Sequence, residues 1–399
     1  MSDSLLSDRI EALSASPTLA MLARTQLLKK QGIDVISLSV GEPDFDTPDN
    51  IKQAAKRAID ANCTHYSQTP GFAALREAIV AKLQRENSLI YSPEQIVTSN
   101  GGKQAIAQTL LALINPGDEV IIPAPYWVSY PEMVRLAEGK AVIIPTDMQQ
   151  GFKITPDQLR AAITPATRAL ILCSPSNPTG AVYSRAELEA LADVLRSYPR
   201  IFVLSDEIYE HINYVGAHCS IAQLPDMQER TAVLNGCSKG YAMTGWRLGW
   251  LAAPLWLAKA VNKLQGQLTS GACSITQMAA IEAYNGPQDS VRRMCEAFRR
   301  RRDLICALVN DTPGLQADTP QGAFYIFPRC SDLFGRHTAD TCITNADDLA
   351  MYLLNEAHVA SVAGTGFGAP GYIRFSYANS EENIIEAFRR IRVALDKLN

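Results

Sequence analysis

Residues 95–123, QIVTSNGGKQAIAQTLLALINPGDEVIIP, decide the fold class. QIVTS is an apolar run of strand length, and after Asn100-Gly101-Gly102 the hydrophobic period changes. Ile106, Leu110, Leu113 and Ile114 recur at three- and four-residue steps, which places them on one face of a helix. Asn115-Pro116-Gly117-Asp118 stops that helix, because proline brings no N–H to its ladder, and EVIIP follows as a second strand. Downstream, RALILC (168–173), IFVLSD (201–206), TAVLNG (231–236) and GWLAAP (249–254) are further apolar runs of strand length, with a helical pattern from Leu188 to Leu195. Strand–helix alternation of this kind predicts an α/β fold: a mostly parallel sheet flanked on both faces by helices.

The final third changes character. A long helix is expected from about Gln288 to Val309, then the run AFYIFP, a helix near Asp347 to Glu356, and the strand-like YIRFSYA. A last helix follows, with Ser380 as N-cap and a stripe of Ile384, Phe388, Ile391, Leu395 and Leu398. Residues 46–285 are therefore read as a large domain, and residues 1–45 with 286–399 as a smaller α+β domain.

Composition narrows the function. The chain has 399 residues, 47% hydrophobic and 20% charged, which suits a globular protein with a sizeable core and excludes disorder. Lys and Arg number 37 against 41 Asp and Glu, a net charge of −4, so the broad basic footprint needed for nucleic acid is missing. The one basic run, Arg299 to Arg302, lies in a helical pattern and reads as a solvated helix face. No stretch approaches the roughly 18 apolar residues of a membrane span, and the N-terminal segment lacks the basic and apolar regions of a signal peptide. Nine cysteines without a Cys-x-x-Cys fit reduced thiols in a cytoplasmic protein. The five histidines show no metal-ligand spacing, and His218 beside Cys219 is too little to propose a site, so no metal is expected.

Polar residues gather just after the carboxyl ends of the apolar runs: Ser174–Gly180, Asp206 to Tyr209, Cys237-Ser238-Lys239, and Asn100 to Lys103. In open α/β sheets ligands bind in the crevice beyond those ends, so these loops are expected to face one site. Gly366-Phe367-Gly368-Ala369-Pro370-Gly371 matches the G-x-G-x-x-G pattern of dinucleotide loops, but the alternating run after it reads as a strand. A glycine-rich turn is the better account, because the dinucleotide motif needs a helix N-terminus to meet the pyrophosphate.

SVGEPDFDTP (39–48), HYSQTPG (65–71), GGKQA (101–105), PYWVSYPE (125–132), SPSNPTG (174–180), SDEIY (205–209), CSKGYAMTGWRLG (237–249) and YIRFSYA (372–378) occur in this order over nearly the whole chain. Together they resemble the class I pyridoxal-phosphate aminotransferases of fold type I, most closely the bacterial aspartate aminotransferases of the subgroup shared with prephenate aminotransferases. The resemblance implies a ping-pong transfer of an amino group between L-aspartate and 2-oxoglutarate, with pyridoxal 5′-phosphate as cofactor, in a homodimer with shared active sites.

The chemistry explains the residue types. Lys239 matches the family's Schiff-base lysine, whose amine condenses with the cofactor aldehyde and later moves a proton at the substrate Cα. Asp206 would keep the pyridine nitrogen protonated, and Tyr209, one helical turn on, would reach the phenolic oxygen beside Asn177. Gly101 and Gly102 offer backbone N–H groups at a helix N-terminus, where Lys103 also stands, and Ser238 and Arg247 would add a hydroxyl and a guanidinium for the phosphate. Trp246 and Leu248 favour burial of Arg247. Trp127 would stack on the ring, and Tyr66 matches the tyrosine that completes the phosphate site from the partner subunit. Arg374 would bind the substrate α-carboxylate, assisted by Asn177 and the Gly41 backbone. Lys103 is the candidate for the distal carboxylate, with Ser16 and Thr18 closing over it. Members accepting prephenate carry a lysine where this chain has Ser14, so prephenate is expected to be a poor substrate.

Two stretches depart from the family pattern. SGACS (270–274) differs from the segment expected there, and VASVAGTGFG (359–368) lacks a proline before its glycine turn. Rival readings are an aminotransferase or lyase of the same fold for aromatic or alanine-type substrates, a cofactor-binding regulatory domain, and a dinucleotide-dependent oxidoreductase. The second lacks room for a DNA-binding segment ahead of GEPDF, and the third depends on the glycine-rich turn.

Overall fold

The structure is a computed structural model and describes residues 5–399, so the first four residues of the 1–45 segment lie outside it. Its centre is a seven-stranded sheet in the order Ile96–Ser99, Gly249–Ala252, Thr231–Gly236, Phe202–Asp206, Thr167–Cys173, Glu119–Ala124 and Lys140–Pro145. The strand Gly249–Ala252 runs antiparallel to both neighbours, and the remaining pairs are parallel. The α/β expectation holds, for a physical reason visible along each strand. Side chains alternate, so Ile121, Leu170, Leu172 and Val203 enter one core with the helix Arg185–Arg196, while Ile122, Ile171 and Leu204 enter another with the helix Gly102–Leu113. Leu170, Val203 and Leu204 are fully buried. Each such side chain contributes about 1.5–3 kcal/mol.

Lys140–Pro145 was not foreseen as a strand. It is the sheet edge, and although AVIIP is an apolar run of strand length, its side chains are mostly exposed or half-buried, with only Ile144 buried. Ile114 lies just past its helix, extended but buried.

The remaining strands are short: Ile36–Ser37 pairs with Val359–Ala360, and Ile373–Ser376 lies between Val362–Ala363 and Tyr325–Ile326. AFYIFP thus yields only a two-residue strand. The helix Asp289–Asn310 and the helix Glu381–Leu395 pack over these strands in one core, which Phe298, Phe375, Phe388 and Ile391 fill. Ser380 caps the last helix by accepting from the Asn383 N–H, and its predicted stripe is buried throughout. The helix Ala346–Tyr352 continues as one π-helical turn, Leu353–Ala357.

The glycine-rich turn is followed by the strand Ile373–Ser376 and not by a helix, so it presents no helix N-terminus to a dinucleotide. The Arg299–Arg302 run corrects the solvated-face reading in part. Arg301 bonds Asp44 at 2.7 Å and lies over Phe45, and Arg302 lies over Tyr214 and donates to the Pro320 carbonyl. Both guanidiniums find flat apolar partners and acceptors at once, which draws them inward.

Candidate active site

The sheet register brings the loops together. Asp206 pairs with Cys173 on one side and Leu234 on the other, so Ser174–Gly180, the 206–210 turn and Cys237–Lys239 leave one edge side by side. The antiparallel strand begins at that same edge, opposite Ser99, which sets Arg247 against Gly101. A Cβ at Gly101 would lie 2.4 Å from Arg247 Nη2, and one at Gly249 would lie 2.2 Å from the Gly102 nitrogen. Both positions therefore need glycine, and Gly101 also holds φ at +82°.

A cavity of about 300 Å³ opens here. Its wall includes Ser16, Thr18, Gly41, Gly102, Lys103, Trp127, Asn177, Asp206, Tyr209, Ser238, Lys239, Arg247 and Arg374. Nearly every residue singled out in the sequence therefore meets at one place. Two do not line it. Gly101 sits behind Arg247 as the N-cap of the helix Gly102–Leu113. Tyr66 is fully exposed.

The charged groups are unequally served. Asp206 is buried at the end of its strand, and its Oδ2 accepts from the Tyr130 hydroxyl at 2.5 Å. Burial raises its pKa to about 6 against the opposing pull of that bond. Lys239 donates to the Gly41 carbonyl at 2.5 Å, and burial, aided by Arg247 and Arg374, brings its pKa down to about 8. A Cβ at Gly41 would come within 2.8 Å of the Tyr325 hydroxyl, so a bare glycine lets the 39–48 segment approach. Arg374 is 2% exposed, donates to Asn177 Oδ1 at 2.9 Å and to the Ser39 carbonyl at 2.7 Å, and lies over the Tyr325 ring. Its Nε has no partner, and no carboxylate reaches it among the described residues.

Tyr209 is buried, and its hydroxyl is 2.9 Å from that of Tyr325. Residues 207–210 form a hydrogen-bonded turn, not the helical turn expected. Lys103 extends over the Trp127 ring at 4.9 Å, and loss of surrounding water, then Arg247, hold its pKa below the ordinary lysine value. Trp127 meets Tyr130 edge-on at 5.4 Å. Arg247 differs from expectation: Leu248 is buried but the guanidinium is exposed at the rim, bonded to the Thr244 carbonyl, on a backbone held at φ 55°. Ser14 stays outside the wall, its N–H held by Glu132 at 2.9 Å.

Sequence reasoning missed Tyr130, Tyr325, Cys173, Ile208 and Thr244, which also line the cavity. Tyr130 and Thr244 stand inside quoted motifs, but nothing local says which way they point. Tyr325 was treated only as part of a strand. The 270–274 segment packs on the stretch that carries Tyr66, Ser274 donating to the His65 carbonyl at 2.7 Å and Gly271 lying against Ser67. Glu207, Glu210 and His218, and likewise Glu86, Glu210 and His211, bring ligating atoms within 4.8 Å of one another, a grouping that sequence spacing did not disclose. There the Lys82 ammonium already supplies Glu210 with a cation.

The residues on this wall fit pyridoxal phosphate. Asp206 is a buried acid without a contacting cation among the described residues, Trp127 is a flat partner, and Gly102, Ser238 and Arg247 group at a helix N-terminus. Residues 33–391 match the family model for aminotransferase class I and II. The aspartate/prephenate aminotransferase of Cereibacter sphaeroides is 48% identical over 97% of this chain and 98% of its own. That of Nitrosomonas europaea is 47% identical, with the same coverage of each chain. Among solved structures, the aspartate aminotransferase of Rhizobium meliloti superposes with a TM-score of 0.96 at 44% identity, covering 99% of this chain and 100% of the other. The Thermus thermophilus aspartate aminotransferase with maleate gives 0.93 at 42% identity, covering 98% and 100%. The loops that converge on this cavity and the match along nearly the whole chain lead to one conclusion: the chain belongs to the class I and II aminotransferases.

Proposed function

We propose that the chain transfers an amino group between L-aspartate and 2-oxoglutarate by a ping-pong path, in a cytoplasmic homodimer. One observation carries the reading. A half-buried lysine, a buried aspartate and a buried guanidinium without a carboxylate partner among the described residues share a single cavity wall. Burying an arginine without a counter-ion is costly, so the anion it awaits comes from outside the fold.

When bound, pyridoxal phosphate supplies an aldehyde for the amino group and a ring that draws electron density from the substrate Cα. Asp206 would accept from the ring nitrogen and keep it protonated; Tyr130 orients the carboxylate through its 2.5 Å bond. Lys239, with its pKa near 8, gives up its proton more readily than a solvated lysine and moves one at the substrate Cα. Arg374 holds the α-carboxylate with Asn177, and Tyr325 beneath it fixes the guanidinium plane. Tyr209 would donate toward the cofactor's phenolic oxygen, with the Tyr325 hydroxyl 2.9 Å from its own. Arg247, Ser238 and the Gly102 backbone would hold the phosphate, whereas the Gly101 N–H is given to the Ser99 carbonyl at 2.8 Å. Lys103 would meet the distal carboxylate, with Ser16 and Thr18 on the same cavity wall.

Residues 46–285 form the large domain in this reading, and 1–45 with 286–399 the small one. The pairing of Ile36–Ser37 with Val359–Ala360 supports that grouping. Tyr66 is fully exposed, which leaves it free to serve a partner's phosphate site in this reading. Free cysteines throughout fit a reducing compartment, and among the described residues no helix is long and apolar enough to cross a membrane. Ser14 brings no charge to the site, which keeps prephenate a poor substrate.

Purified protein given aspartate with 2-oxoglutarate should form glutamate, and Lys239→Ala should abolish steady-state turnover while the fold is kept. Normal turnover by Lys239→Ala would refute the assignment.

A further inference from the structure

On the side of the 206–210 turn that faces away from the cavity lies a buried polar cluster which the proposed reaction leaves unused. Lys82, on the helix Ala73–Asn87, is fully buried. Its ammonium donates to Asn87 Oδ1 at 2.8 Å and to Glu210 Oε1, with Glu86 Oε2 at 3.7 Å. Glu210 accepts further from Asn87 Nδ2 at 2.9 Å and from Asn235 Nδ2 at 2.7 Å, and His211 lies 4.0 Å away. Asn235 Oδ1 takes the Gly236 N–H at 2.7 Å. Beside this, Glu207 accepts from Ser205 at 2.8 Å and Ser220 at 2.5 Å and faces His218 at 2.9 Å.

Desolvating such charges roughly cancels their attraction, so stability alone is a weak reason for the pair. Where its hydrogen bonds end is more telling. Glu210 follows Asp206 by one turn of chain, and Asn235 precedes Ser238 and Lys239 by a similar distance. The backbone bond from the Glu207 N–H to the Leu234 carbonyl, 2.9 Å, lies at the end of the ladder between these strands. Beyond it, Asn235 joins the two loops through Glu210, and Lys82 holds Glu210 from the helix behind.

We propose that Lys82 is a positioning residue: by clamping Glu210 against Asn235 it sets the spacing between the loop of Asp206 and Tyr209 and the loop of Ser238 and Lys239. The inference rests on the reading of Asp206 and Lys239 as the groups that hold the cofactor. Groups on two separate loops must keep their mutual geometry to a fraction of an ångström, and a buried charge with directed partners locks rotamers that an apolar contact would leave free.

The test compares wild-type protein, Lys82→Met and Lys82→Met/Glu210→Gln, each loaded with pyridoxal phosphate. Lys82→Met should bind the cofactor at least about tenfold more weakly and lose about tenfold or more in kcat, with little change in KM for aspartate. The double variant should recover most of both, because a neutral glutamine oxygen can still accept from Asn235. A Lys82→Met protein that merely melts earlier, with unchanged cofactor affinity, visible absorbance and kcat, would show a structural role alone and overturn the proposal. A double variant no better than the single would overturn it too. If Lys82→Met does not fold, Asn235→Ala removes the bridge and keeps the ion pair. Weaker cofactor binding there supports the proposal, and wild-type affinity sinks it. Failure of the cofactor reading would look different: the wild-type protein itself would take up no cofactor.

Discussion

Asp206 and Glu210 leave the same turn, and their surroundings push the two carboxyls in opposite directions. Both are buried, and burial alone pushes a carboxyl up. Glu210 faces the rear cluster, where Lys82 and then the nearby histidines outweigh burial and hold it well below the usual carboxylate range. Asp206 faces the cavity, where Tyr130 gives one hydrogen bond and Lys239 acts only weakly, and it stays at about 6. The rear carboxylate is satisfied by the fold. The front one has no cation in contact among the described residues. Placement of an internal cation, more than depth of burial, separates a structural acid from a candidate binding acid.

The sharpest way to break this contrast is to neutralise the front acid. Asp206→Asn should keep the Tyr130 contact and the fold but lower kcat by about 10²–10⁴, as measured by glutamate formation. Near-normal turnover would place Asp206 with the structural acids.

Lys103 extends the comparison to cations. Unlike Lys82 it has no carboxylate partner among the described residues, and it lies at the cavity wall over Trp127. Lys103→Ala should cost about 2–4 kcal/mol in kcat/KM for aspartate and far less for alanine, which has no distal carboxylate. Equal losses on both substrates would mean that the ammonium serves only the local field.

The mildest effect concerns Lys239. Burial depresses its pKa, so the neutral amine predominates above about 8 instead of above the ordinary lysine value. Uptake of pyridoxal phosphate by the apoprotein, followed by absorbance, should rise about tenfold per pH unit below that point and level off above it. A rate still climbing at pH 10 would show a solvated lysine.

Much of this was legible in the sequence because it is local. The strands Thr167–Cys173, Phe202–Asp206 and Thr231–Gly236 bury both faces and so carry unbroken apolar runs, and loop residues follow directly where those runs stop. That is enough to name Asn177, Asp206 and Lys239 as neighbours. The edge strand Lys140–Pro145 carries the apolar run AVIIP, as a strand should, and it went unread although its signal is local. Arg301 and Arg302 looked solvated because their partners, Asp44, Phe45 and Tyr214, are far away along the chain.

By itself the sequence determined the alternation of strands and helices, the polar loops at the strand ends and the glycines that allow close approach, since period, breaker residues and backbone freedom act within a few residues. Only the tertiary structure decided which charges are answered. Lys82 meets Glu210 across 128 positions, and Tyr209 meets Tyr325 across 116. Whether a buried ionisable group is neutralised depends on what packs within a few ångströms of it, and that is a property of the folded chain that no local pattern encodes.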